Sequence, residues 1–186
     1  MGQSAVQDTK NRLIEAGKRV IFRKGFHRAR VSDITSEAGL AHGTFYLYFP
    51  TKDAFLLELL KSVRDEILNL DSKGIGLISE GRVEEGKELV FIKGFELMVR
   101  EKELAKILFF EAVGTSRTFQ DFYAQSKELF RQNLSRTLEL LGFEKPDLYA
   151  EILLGTARHL IEELILKDRE VVGVWKEVLR ELGVYS

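Results

Sequence analysis

The sequence predicts an all-α fold. Three observations carry that reading: only 2 prolines occur in 186 residues, apolar residues recur three and four positions apart along most of the chain, and no convincing alternating run marks a strand. A length of 186 residues exceeds one small domain yet stays below the size at which single cores stop growing, so one large or two intimate domains are expected. The lack of cysteine excludes a disulfide framework, a thiolate zinc site and a cysteine nucleophile. Apolar content of 45% beside 31% charged residues fits a packed globule better than a disordered chain. No apolar run reaches the roughly 18 residues needed to span a bilayer, and the first residues hold no signal-type apolar core. The expectation is a cytoplasmic protein without membrane contact.

The first helix runs from about Thr9, with Leu13, Ala16 and Val20 on its inner stripe and Ile14 and Ile21 widening it, and it closes at Lys24-Gly25. A short helix is expected near Asp33–Ala38, and a second from about His42 to Tyr48, stopped by Pro50. Thr51-Lys52-Asp53 opens a long helix with Thr51 as its N-cap, and Phe55, Leu56, Leu59, Leu60, Val63 and Ile67 form its apolar face. Three glycines in the stretch from Asp71 to Gly81 read as a loop or loosened helix end, a hinge or linker. Helical patterns resume at about 83–100, 102–113, 117–141, 147–167 and 170–182.

The informative segment lies between Val31 and Tyr46. Two short helices joined by a turn at Gly39 follow helix-turn-helix grammar: Ile34 and Ala38 lie one turn apart on the inner face, Leu40 plugs the turn and Phe45 anchors the second helix in the core. Glycine at 39 permits the sharp reversal. With Phe45 inward, His42, Gly43, Thr44 and Tyr46 form a small polar outer surface able to approach base edges and phosphates in a major groove. Charge agrees. Residues 1–52 hold nine basic against four acidic residues, while the whole chain sums to −1, so positive potential is concentrated where a polyanion would meet it.

The series Gly43-Thr44-Phe45-Tyr46-Leu47-Tyr48-Phe49-Pro50-Thr51-Lys52-Asp53-Ala54-Phe55, with Lys24-Gly25-Phe26 and Asp33-Ile34 upstream, resembles the N-terminal DNA-binding domain of the tetracycline-repressor (TetR) family. The pattern there is roughly G-[TS]-[hydrophobic]-Y-x-[HY]-F-x-x-K-[ED]-x-[hydrophobic], and the likeness spans about Thr9 to Leu60. The resemblance implies a recognition helix near residues 42–48, phosphate contacts from Tyr46 and Lys52, and a second domain that binds a small inducer and dimerises. Three positions depart from the pattern. Ala41 and Arg30 stand where Ser or Thr commonly caps a helix, leaving Ser32 as a later cap and Arg30 as a phosphate contact, and Thr35 replaces a frequent alanine at the helix crossing. The expected DNA-contacting set is therefore Arg30, Ser32, His42, Gly43, Thr44, Tyr46, Tyr48 and Lys52.

The expected architecture is an N-terminal three-helix DNA-binding domain, residues 1–52, joined to a C-terminal helical ligand-binding and dimerisation bundle, residues 53–186. Nine of the 13 phenylalanines lie beyond residue 52. Phe91, Phe95, Met98, Phe109, Phe110, Phe119, Phe122 and Tyr123 are the expected pocket for a small apolar or amphipathic inducer, with plain core packing as the competing reading. The helix at 147–167 is apolar almost all round, so Leu153, Leu160 and Leu164, with Trp175 and Val178 from the next helix, are expected to meet a second copy in a homodimer. No nucleophile motif, metal cluster or cofactor loop emerges: His159 beside Glu162 and Glu163 is too little for a metal, and Gly74-Ile-Gly76 lacks the preceding strand of a phosphate loop. The expected function is a repressor of transcription released from double-stranded operator DNA by its inducer. The alternatives are a ligand-independent DNA-binding dimer and a helical lipid carrier or enzyme.

Overall fold

The computed structural model describes residues 2–114 and 116–185, with side chains from residue 6 onward. The described residues form α1 (Gly2–Lys24), α2 (Val31–Glu37), α3 (Thr44–Tyr48), α4 (Lys52–Ser79), α5 (Val83–Lys87), α6 (Gly94–Arg100), α7 (Lys102–Lys106), α8 (Arg117–Leu140), α9 (Pro146–Lys167) and α10 (Val172–Glu181). Two π-helical turns, Glu88–Lys93 and Ile107–Ala112, follow α5 and α7. No strand occurs among the described residues. Contacts divide the chain into two compact units, Met1–Ser62 and Val63–Ser186, with α4 passing through the division.

In the first unit the expected apolar stripes become the core. Leu13, Ala16 and Val20 of α1, Ile34 of α2, Phe45 of α3 and Phe55 and Leu59 of α4 are all buried. Phe45, Phe49 and Phe55 meet as an aromatic triad with ring centroids 4.9–5.4 Å apart. Such a cluster fixes a five-residue helix that could not persist alone. Thr51 caps α4 as expected, its Oγ1 accepting from the Ala54 N–H at 3.0 Å.

Of the two sequence readings of the stretch 71–81, the helix end holds and the loop or hinge does not. α4 continues through Gly74 and Gly76 to Ser79, and the chain turns only at Gly81. The cause is a close helix contact. A Cβ on Gly74 would stand 2.6 Å from Val90 Cγ2 and 2.8 Å from the Gly86 carbonyl oxygen, and one on Gly86 would stand 2.5 Å from the Gly74 carbonyl oxygen. Two backbones touch there, and the packing gained offsets the roughly 0.5–1 kcal/mol that glycine costs a helix.

The second unit is built around α9, which packs against α6, α7 and α8. Leu153, Leu160, Ile161 and Leu164 enter one core with Phe91, Phe95, Leu138 and Trp175. The Phe95 and Trp175 rings stack at 4.8 Å with 19° between planes, and Trp175 Nε1 donates to the Phe91 carbonyl oxygen at 2.6 Å.

Candidate nucleic-acid interface

The helix-turn-helix is held from behind by α1. Arg12 donates to the Ala38 carbonyl oxygen at 2.8 Å, pinning the turn at the end of α2. Gly39, at φ +65°, and Leu40 return their N–H groups to Ser36 and Thr35, which closes the helix and reverses the chain. Thr35 is 3% exposed, and its hydroxyl donates back to the Val31 carbonyl oxygen at 3.1 Å, so the crossing accepts a threonine without leaving a buried polar atom unpaired.

The expected caps resolve differently. α2 begins at Val31 with Arg30 as N-cap, because the Asp33 carboxylate accepts from the Arg30 N–H at 2.9 Å. Ser32 therefore sits exposed within the first turn and is not the cap. The Arg30 side chain is exposed. α3 begins at Thr44, two residues later than expected. No side-chain acceptor closes its entry; the Thr44 N–H bonds to the Ala41 carbonyl oxygen at 3.0 Å.

With Phe45 fully buried, the opposite side of α3 faces solvent. His42 and Gly43 are exposed, Tyr46 is 53% exposed, and the His42 and Tyr46 rings meet edge-on at 5.8 Å. Thr44 and Tyr48 are half-buried at the flanks. The residue that sequence reasoning missed is Leu47, 82% exposed at the centre of this face. Its signal was available: two residues beyond Phe45 is a rotation of about 200°, which puts it directly opposite the core anchor. Lys52 is half-buried, its ammonium donating to the Phe26 carbonyl oxygen, and burial pushes its pKa down.

Around this face the basic residues are organised by two acids of α2. Glu37 accepts from Arg19 at 2.8 Å and Arg23 at 2.5 Å, which hold its pKa down to about 2. Lys24 pairs with Asp33 at 2.9 Å and, with the Arg30 N–H, lowers its pKa. What the arrangement offers is a small exposed helix face with a hydroxyl, an imidazole and an apolar tip, bordered by cations.

Comparison with known proteins decides the affiliation. Residues 13–59 match the bacterial regulatory proteins of the tetR family, and residues 87–184 match the tetracyclin repressor-like C-terminal domain. The chain belongs to the TetR family. It is 30% identical over 166 residues to the HTH-type transcriptional regulator YdgC of Bacillus subtilis, covering 86% of this chain and 82% of that one. A transcriptional regulator of the TerR/AcrR family from Aquifex aeolicus superposes with a TM-score of 0.72 at 29% identity, over 93% of this chain and 96% of the other. FadR of Bacillus subtilis, crystallised with stearoyl-CoA, shares the fold with a TM-score of 0.69 at 24% identity, over 92% and 96% of the two chains.

In this TetR-family transcriptional regulator the expected pocket residues differ in burial. Phe91 and Phe95 belong to the packed core against Trp175, and Phe110 is 48% exposed. Phe119 and Phe122 are buried on α8, with the Arg64 guanidinium 5.3 Å from the Phe122 ring centroid. Met98 and Phe109 are half-buried at the core's edge. Phe109 and Tyr123 meet edge-on at 6.0 Å, and the Arg158 guanidinium lies 5.2 and 5.4 Å from their ring centroids and donates to the Tyr123 hydroxyl. A further polar pair escaped the sequence reading: Asp71 of α4 is 4% exposed and accepts from Asn133 at 3.2 Å, and burial raises its pKa to about 6.

The expected dimer residues need correction. Leu153, Leu160, Leu164 and Trp175 are buried inside their own bundle, so they have no surface left for a partner, and Val178 is half-buried. One face of the apolar helix is already covered by its own bundle. The outward stripe of α9 is instead Leu148, Ile152, Gly155, His159 and Leu166, whose spacings of four, three, four and seven keep one face.

Proposed function

We propose that this regulator is a dimeric repressor that holds double-stranded operator DNA through residues 1–52 and leaves it when residues 53–186 bind a small apolar or amphipathic inducer. The observation that carries the DNA half is the outer face of α3, where His42, Tyr46 and Leu47 stand exposed on a helix sealed from behind by Phe45. A surface of that size enters a major groove, and Thr44 and Gly43 keep the approach open. Arg30, Ser32, Tyr48 and Lys52 supply the flanking phosphate contacts. Pairing through the Leu148–Ile152–Leu166 stripe gives two half-site readers, and linking them multiplies affinity through effective concentration.

The stearoyl-CoA bound to FadR supports an acyl-type ligand. So does Arg158 beside Phe109 and Tyr123, a cation next to aromatic surface, which suits an amphipathic molecule with a polar head. The ligand acts by population shift, favouring a conformation in which the recognition helices no longer match successive major grooves roughly 34–36 Å apart, with α4 carrying the change. The test is calorimetric titration of fatty acyl compounds with and without a duplex recovered by binding-site selection. Linkage requires operator to weaken ligand binding by the same factor as ligand weakens operator binding, typically about 5- to 150-fold. Equal affinities in the two titrations reject induction by that ligand. The packing of Phe91 and Phe95 against Trp175 favours a second reading, a ligand-independent DNA-binding dimer, which a broad ligand screen without a binder would support.

A further inference from the structure

Where α1 ends and α2 begins, the surface folds into a solvent-open cleft of about 370 Å³ lined by Arg23, Lys24, Arg28, Arg30 and Asp33. Four cations face one acid, and that acid is already engaged by Lys24 and the Arg30 N–H. Arg23 is tied to Glu37, so the α1 wall is held in place by a carboxylate of α2. Among the described residues Arg28 uses only its Nε, donating to the Lys24 carbonyl oxygen at 2.8 Å, which leaves four of its N–H donors, and the exposed Arg30 guanidinium acts on the cleft's acid through its charge, helping to lower the Asp33 pKa. Two guanidinium forks therefore line a cleft whose other cations are fixed.

Crowding like charges costs the fold stability unless a polyanion neutralises them. The lining is charged throughout, with no aromatic or aliphatic wall to hold a base or a sugar, so its chemistry is that of a phosphodiester oxygen met by paired N–H groups. Arg30 joins the cleft to the start of α2, and hence to the helix-turn-helix. We propose that this cleft holds backbone phosphates of the operator duplex just outside the segment read by α3, extending the footprint beyond the recognition helix. The assignment rests on the DNA-binding reading above.

The experiment measures affinity against salt concentration for the full-length protein. The probes are a duplex recovered by selection from random-sequence DNA and the same duplex trimmed by roughly half a helical turn, about five base pairs, at each end. The wild type gains affinity and a steeper salt slope on the longer duplex. Arg28→Gln loses about 0.9 of slope for each phosphate contact removed and keeps only part of the gain on lengthening, with its base preference unchanged. Arg28→Lys, which keeps the charge and the fold but not the fork, restores most of the slope. Thermal unfolding of each variant confirms an intact domain. An Arg28→Gln variant that keeps the full gain on lengthening overturns the cleft assignment while leaving the DNA-binding reading intact. A changed base preference, or binding of free ATP that the substitution abolishes, overturns it in favour of base readout or a free nucleotide. A wild type that selects no sequence overturns both readings together.

Discussion

Lys52 Nζ donates to the Phe26 carbonyl oxygen at 2.5 Å and lies 4.2 Å from the centroid of the Phe26 ring. The lysine expected to touch a phosphate is thus also a clasp between the start of α4 and the turn after α1. One ammonium has three donors, so a phosphate can be added without releasing the carbonyl.

Lys52→Ala is expected to act twice. It weakens DNA binding nearly uniformly across sequences and lowers the salt slope by about 1. It also destabilises the free protein by about 1 kcal/mol, because the Phe26 carbonyl loses its donor. Binding isotherms at several salt concentrations, beside thermal unfolding without DNA, separate the two effects. A normal salt slope rejects the phosphate contact.

Leu47→Ala is expected to leave stability within about 0.5 kcal/mol, since the side chain is 82% exposed. It should instead relax base preference at one position, where a thymine methyl packs against the leucine, a difference of about 1–3 kcal/mol between matched and mismatched sites. Binding-site selection with both proteins reads this directly; identical sequence profiles would exclude it.

The glycines of α4 give opposed expectations. A Cβ on Gly76 would meet nothing within 4 Å, so Gly76→Ala stabilises by about 0.5–1 kcal/mol through helix propensity. Gly74→Ala drives a methyl against the Gly86 carbonyl oxygen and Val90 and destabilises by about 1–3 kcal/mol. Denaturant unfolding of the two variants distinguishes a helical contact from a linker, in which both would be tolerated.

Asp71→Asn is expected to stabilise the fold at neutral pH. Burial raises the Asp71 pKa from 3.8 to about 6, so the folded state binds the proton more tightly than the unfolded chain. Its charge opposes folding as pH rises from about 4 through about 6, and the penalty levels off near 3 kcal/mol, roughly 1.4 kcal/mol for each pH unit of difference. Asparagine keeps an acceptor for Asn133 without the charge. The stability gap between variant and wild type, followed by denaturant unfolding from pH 4 to pH 7, should open over that window; a constant gap excludes ionisation of Asp71 as its cause.

Neighbouring positions on α9 separate assembly from folding. Ile152→Glu, at a 41% exposed site, is expected to give a folded monomer with weakened operator binding. Leu153→Glu buries a charge at a site with no exposure and should unfold the bundle, at a cost above about 4 kcal/mol. Sedimentation and circular dichroism tell the two outcomes apart.

The helices and the helix-turn-helix were legible because their signals are local: Leu13, Ala16 and Val20 repeat at helical spacing within one helix, and Gly39 marks the turn by the conformation it permits. Gly74 and Gly76 left two readings open because glycine signals permissiveness, and only a partner surface decides whether that freedom makes a loop or a contact. Leu153 and Trp175 misled for a related reason: periodicity reports that a face is covered but not by which chain. The Asp71–Asn133 pair joins residues 62 positions apart, beyond the reach of any local pattern.

Because Leu153, Leu160 and Trp175 close the interior within a single chain, each protomer has a reason to fold before it meets another. In the proposed dimer, folding and pairing are then separate equilibria. A chain whose core is complete alone can exist as a monomer at low abundance, so occupancy of a two-half-site operator rises with more than the first power of its concentration. The cell's supply of the protein becomes an input to the switch in its own right, alongside any inducer.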